Sequence, residues 1–177
     1  TFNKIFCNRV VAYSGVVNVS KSVHLFRSRP KTPAQILEEV SLPVFVKPPE
    51  GGSSLATTKV KTIDELQPAL DAVYAIEPQA MAEEFVKGRE FSIGVYRAGG
   101  ALRALPVTEI ISTKEFFDYE AKYTPGMTNE VTPAELPTET ADLISETARK
   151  IYDLLNCRGI CRIDFILEEG SGKLYFL

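Results

Sequence analysis

Leu42-Pro43-Val44-Phe45-Val46-Lys47-Pro48-Pro49-Glu50-Gly51-Gly52-Ser53-Ser54, with Thr57-Thr58-Lys59-Val60 just beyond it, is the stretch whose reading decides the fold. The apolar run Val44 to Val46 reads as a strand with a lysine at its exit, and Thr57 to Val60 resumes a β-rich segment. The glycines and serines between them must then be a loop. Consecutive glycines let backbone N–H groups approach phosphate oxygens closely, and the serine hydroxyls add donors. Taken alone, Gly-Gly-Ser-Ser is equally the tip of a flexible hairpin. It is not a P-loop, because no Gly-Lys-Ser/Thr follows and a strand rather than a helix comes next.

Working outward, residues 3 to 14 carry Ile5, Phe6, Arg9, Val10 and Tyr13 at helical spacing, with Gly15 where a helix would stop. Val16 to Phe26 reads as extended, and a short helix is expected from about Ala34 to Val40. Thr62-Ile63-Asp64-Glu65 fits a capping box, but Pro68 moves the helix start toward Gln67. Ala80 to Val86 is a strand broken at Lys87-Gly88, and Arg89 to Tyr96 and Ala101 to Ile111 form a hairpin about Ala98-Gly99-Gly100. From Ser112 to Leu136 no periodicity emerges, although Phe116 to Tyr123 is too aromatic for a disordered linker. Pro137 opens a helix with Ile144, Ala148, Ile151 and Leu155 on one face, expected to end near Gly159. Ile160 to Leu167 and Lys173 to Leu177 pair as a final hairpin.

The 177 residues suffice for one sizeable core or two small lobes. A net charge of −3 without a Lys/Arg block gives no long-range attraction for nucleic acid or an anionic membrane surface, so phosphate would be held locally. No apolar run approaches the ~20 residues of a membrane span. The first residues lack a basic segment leading into an apolar one, as a signal peptide would have, and the missing initial Met reads as a piece of a longer protein. Cys7, Cys157 and Cys161 form no C-x-x-C pair and read as reduced, buried thiols of a cytoplasmic protein.

In the final hairpin, Cys161, Ile163, Phe165 and Leu167 share one face while Arg162 and Asp164 share the other. That spacing alone suits a structural ion pair. With Leu167 facing Lys173, Asp164 would face Phe176 and Arg162 would face the residue after Leu177; a carboxylate there would complete an oxygen-rich cage for Mg²⁺. Glu83, Glu84 and Glu90 could accept from adenine and ribose, or form a solvated acidic edge.

Five motifs occur in a known order: Leu42 to Pro48, Gly52-Ser53-Ser54, Glu83 to Glu90, Asp118-Tyr119-Glu120-Ala121-Lys122-Tyr123, and Arg162-Ile163-Asp164. That order resembles the D-alanine:D-alanine ligases of the ATP-grasp superfamily across essentially the whole chain. The resemblance implies an α+β fold in which two lobes with mainly antiparallel sheets clasp ATP, residues 1–87 forming the small lobe and 88–177 the large one. It implies that Lys4 and Lys47 contact ATP phosphates under the Gly52-Ser53-Ser54 loop, and that Glu83, Glu84, Val86 and Glu90 hold adenine and ribose. Ser53 and Tyr123 would belong to a hydrogen-bonded closure of the site, Lys122 would reach the γ-phosphate, Arg162 would stabilise an oxyanion, and Asp164 would bind Mg²⁺ or Mn²⁺.

The implied activity joins two D-alanines for peptidoglycan precursors in a cytoplasmic homodimer, with Tyr123 resembling the dipeptide-forming members. The family carries Glu and then Asn beyond the position of Leu177, and a substrate-binding domain ahead of this region; residues 1–177 alone are therefore expected to bind Mg²⁺ poorly and not to turn over. Ala56 stands where the family's loop often has another Gly, and Glu84 where many members have Lys. Alternatives are another ATP-grasp carboxylate–amine ligase, or a nucleotide-binding module without activity, against which Lys122, Arg162 and Asp164 together argue.

Overall fold

The computed structural model describes residues 3–52, 54–112 and 128–177. Two β-sheets, each with its own helices and core, form the two lobes, and alternation along their strands decides what each face carries.

The smaller sheet is antiparallel, in the order β2 (Ser22–Phe26), β5 (Gln79–Glu84), β3 (Val44–Lys47), β4 (Thr58–Val60). Its register sets Val44 opposite Val60, Phe45 opposite Glu83 and Val46 opposite Ala82. Val23, Leu25, Val44, Val46, Val60, Ala80 and Ala82 therefore share one face, and they pack in one core with Ile36 of α2 (Pro33–Leu37) and Leu66, Leu70 and Val73 of α3 (Leu66–Tyr74). Each fully buried Val or Leu contributes about 1.5–3 kcal/mol. The other face keeps Phe45, Lys47 and Glu83. Thr32 caps α2 through a capping box with Gln35, and a 3-10 turn, Ile63–Glu65, precedes α3, so Pro68 falls in the first turn of the helix, where its missing N–H costs little.

Among the described residues the larger sheet has seven strands in the order β1 (Asn18–Val19), β11 (Leu174–Phe176), β10 (Ile160–Glu168), β6 (Gly88–Ala98), β8 (Thr108–Ser112), β9 (Thr128–Val131), with β7 (Ala101–Ala104) also on β6. Phe91, Ile93, Val95, Ile163 and Phe165 face Cys7 and Val11 of α1 (Lys4–Ser14) and Ile144, Ala148, Ile151 and Tyr152 of α4 (Thr138–Leu154). The opposite face carries Glu90, Arg162, Asp164 and Ile166, since Asp164 pairs with Ser92 and Ile166 with Glu90.

Five expectations change. The helix α4 ends at Leu154 rather than near Gly159, because Asn156 takes the left-handed conformation at φ 50° and the Cys157 N–H closes on the Tyr152 carbonyl. The strand expected from Ala101 to Ile111 is interrupted at Leu105–Val107, whose Pro106 has no N–H to pair; β7 and β8 then meet different parts of β6. The segment without periodicity contributes β9, a short strand at the sheet edge.

The final hairpin is shifted by one residue from the expected register: Leu167 pairs with Leu174 and Phe165 with Phe176, and the Leu177 N–H meets the Asp164 carbonyl at 3.1 Å. The Glu168 N–H closes on the Lys173 carbonyl, leaving a four-residue loop with Gly170 and Gly172 at positive φ. This register buries Leu174 and Phe176 beside Phe165, whereas the expected one would have set Phe176 against Asp164. Finally, α1 and β1 join the larger sheet, β1 running parallel to β11, although the division at residue 87 assigned them to the small lobe.

All three cysteines are free thiols, and only Cys7 is fully buried. Burial and the adjacent Cys161 thiol push Cys157 up to about 11. None of the described helices is long and apolar enough to cross a membrane.

Candidate active site

The uncovered faces of the two sheets look onto one cleft of about 830 Å³, in the range typical of small-molecule sites. Lys47, Glu83 and Val86 border it from the smaller sheet and its exit; Glu90, Arg162 and Asp164 border it from the larger one. Lys4, Gly52 and Ser54 close its glycine-loop end.

That end is assembled on the start of α1. Asn3 caps the helix, its side-chain oxygen accepting from the Phe6 N–H at 3.0 Å, while its amide donates to Glu50 at 3.3 Å. The Lys4 N–H bonds the Pro49 carbonyl at 2.8 Å, and the Lys4 ammonium donates to the carbonyls of Gly51 at 2.9 Å and Pro48 at 3.3 Å. The glycine loop is thereby fastened to the helix that carries one of its lysines. Burial, then the neighbouring Lys47 charge, pushes the Lys4 pKa down. Within the loop, Ser54 and Ala56 have φ of 56° and 49°, the left-handed conformation that favours glycine.

Lys47 is held by Glu83 at 2.5 Å, and Glu83 also accepts from the Asn8 amide at 2.9 Å. Across the cleft, Arg162 grips Asp164 with two bonds of 3.0 Å each, which raises the guanidinium pKa. Strand alternation makes that grip possible, since residues two apart point the same way.

Between these charged ends lies an apolar, aromatic stretch. Phe85 meets Phe45 edge-on at 5.8 Å, the Lys59 ammonium stands 3.6 Å from the Phe85 ring centroid, and Ile110 and Ile166 line the opposite wall. Arg89 makes two 2.7 Å bonds to Glu109 at the rim and a third to the Glu135 carbonyl, tying β6 to β8 and to the chain after β9.

Of the expected site residues, Lys4, Lys47, Gly52, Ser54, Glu83, Val86, Glu90, Arg162 and Asp164 all border this cleft. Glu84 does not: it falls on the core side of β5, where its carboxylate accepts from the Ser41 N–H at 2.8 Å. Ser53, Lys122 and Tyr123 lie outside the described residues. Asn8, Phe45, Lys59, Phe85 and Glu109 were missed. Two had legible signals, since Asn8 is one helical turn from Lys4 and Phe45 alternates with Lys47.

The family model described as D-ala D-ala ligase C-terminus matches residues 10–177. The chain belongs to the D-alanine:D-alanine ligase family. It is 41% identical over 171 residues to the D-alanine–D-alanine ligase of Phocaeicola vulgatus, covering 97% of this chain and 52% of that protein. The corresponding enzyme of Porphyromonas gingivalis strain W83 is 40% identical, with 97% and 52% covered. Among solved structures, the VanG D-Ala:D-Ser ligase from Enterococcus faecalis superposes with a TM-score of 0.87 at 31% identity, over 99% of this chain and 50% of that one. The D-alanine–D-alanine ligase from Bacillus anthracis gives 0.81 at 26%, over 99% and 55%. The fold is thus that of the ATP-grasp D-alanine ligases, and the chain spans about half the length of the curated relatives it matches.

Proposed function

We propose that the protein to which this chain belongs is an ADP-forming ligase that joins two D-alanines for peptidoglycan precursor synthesis. The observation that carries this reading is the convergence of two phosphate-seeking lysines and the Arg162–Asp164 pair on a single cleft.

In this reading ATP lies along the cleft, its adenine against Phe85, Val86 and Ile166 and its ribose toward Glu90. Lys4 and Lys47 neutralise phosphate oxygens from the α1 and β3 sides, and the backbone around Gly52 covers them. A D-alanine carboxylate oxygen attacks the γ-phosphorus, breaking the bond to ADP; the amine of a second D-alanine then attacks the acyl phosphate, releasing phosphate and a proton. Arg162 would stabilise the charge that gathers on the acyl oxygen, since preset donors stabilise such charge most. Lys122, Ser53 and Tyr123 keep the roles the resemblance implies, reaching the γ-phosphate and closing the site.

Mg²⁺ or Mn²⁺ commonly takes one or two carboxylates together with substrate phosphates, and Asp164, on the cleft wall and a quarter exposed, is a fitting donor. When bound, the ion would offset phosphate charge. Among the described residues no cluster of three or more His, Cys, Asp or Glu that could hold a metal ion occurs.

Two further expectations go with the family, a homodimer and a cytoplasmic location. The test is phosphate release by the full-length protein with ATP, Mg²⁺ and D-alanine, set against L-alanine. Release with D-alanine alone supports the reading, and equal release with L-alanine or none with either would refute it. The likeness to a D-Ala:D-Ser ligase favours including D-serine as acceptor in the same assay.

A further inference from the structure

Asn8 is 5% exposed and lies on α1 between Cys7 and Val11, within the region of the helix that packs into the larger sheet's core. Its amide crosses to the smaller sheet and donates to one oxygen of Glu83 at 2.9 Å. The other Glu83 oxygen lies 2.5 Å from the Lys47 ammonium. The Glu83 side chain is 4% exposed and that of Lys47 16%. A carboxylate so buried is tolerable only when paired and hydrogen-bonded, and here one oxygen goes to each lobe. An ammonium has three donors, so the bond to Glu83 fixes the direction of Lys47 and leaves donors for a further oxygen.

We propose that Asn8 is a positioning residue: acting through Glu83, it sets where the Lys47 ammonium points and ties that lysine to the body of the opposite lobe. The inference rests on the reading that the cleft takes ATP. It gives Glu83 a duty beyond adenine and ribose, since both of its oxygens serve the Asn8–Lys47 link. It also explains why a polar side chain sits on the otherwise apolar inner side of α1.

The experiment is a double-substitution cycle on the full-length protein, reading ATP affinity for the parent, Asn8→Ala, Lys47→Met and the pair. Contacting residues in one network couple by about 0.5–3 kcal/mol, or roughly 2- to 150-fold. Asn8→Ala should therefore weaken ATP about tenfold in the parent and less than about twofold once Lys47 is Met. A general loss of folding would instead act alike in both backgrounds. If Asn8→Ala does not fold, Asn8→Asp, equal in size but facing Glu83 with a second carboxylate, should show the same dependence on Lys47. Equal weakening in both backgrounds, or undiminished affinity in the parent, would overturn the inference. A parent protein that binds no ATP would overturn the nucleotide reading itself, and this inference with it.

Discussion

The two charged walls of the cleft use the same pairing of cation and carboxylate in opposite ways. Lys47 and Glu83 come from neighbouring strands, are almost wholly buried, and are pinned by a third residue from the other lobe. Arg162 and Asp164 are two residues apart on one strand, with Arg162 69% exposed. Buried pairs are costly to break, because the survivor is left charged and dry, whereas exposed pairs contribute little and exchange partners freely. The difference would suit the roles proposed for them: a lysine that anchors phosphate would gain from being fixed beforehand, and an arginine that turns from Asp164 toward a developing oxyanion would gain from a weak hold.

The comparison breaks hardest at Glu83. Glu83→Ala leaves the Lys47 charge and the Asn8 amide without their acceptor, and should lower stability by about 3–5 kcal/mol in denaturant unfolding. On the other wall the sensitive position is uncharged. At Gly88 an added Cβ would lie 2.1 Å from the Leu167 carbonyl oxygen, so Gly88→Ala should cost about 1–3 kcal/mol by the same measurement. Asp164→Asn, which removes the exposed pair's charge, should change stability by less than about 1 kcal/mol. Its effect should fall on turnover and on metal dependence instead; a large stability loss would mean that the two walls are alike.

The smallest effect belongs to pH. Because the Lys4 pKa is lowered by burial and by Lys47, Lys4 gives up its proton, as pH rises, earlier than an ordinary lysine, and ATP affinity should fall in the alkaline range short of 10.5. Lys4→Arg, always charged, should flatten that fall in an affinity titration against pH. The sign for stability is the reverse: the unfolded chain holds the Lys4 proton more tightly, so this group's cost to folding is relieved as pH rises from the lowered pKa toward 10.5.

Much of this was legible because the decisive residues alternate or repeat. Val44 and Val46 against Lys47 marked β3 and its cleft side, and Ile144, Ala148 and Ile151 marked α4. The register of the last hairpin was within reach as well: Leu174 and Phe176 have to share a face with Phe165, which Leu167 facing Lys173 does not allow. Glu84 was misplaced for want of the same parity argument, since neighbours on a strand point to opposite sides and only one of Glu83 and Glu84 can face the cleft. The link from Asn8 to Glu83 spans 75 positions and two lobes, a contact no local pattern encodes. β9 is four residues at an edge, too short to show a period.

The most direct test of a single nucleotide cleft shared by both lobes is a crystal structure of the full-length protein with Mg²⁺ and a non-hydrolysable ATP analogue. The account predicts phosphate oxygens within hydrogen-bonding distance of Lys4 and Lys47, the base beside Phe85, and the metal ion on Asp164. A nucleotide bound elsewhere, or one reached by Lys47 with Asp164 remote from its phosphates and metal, would contradict it.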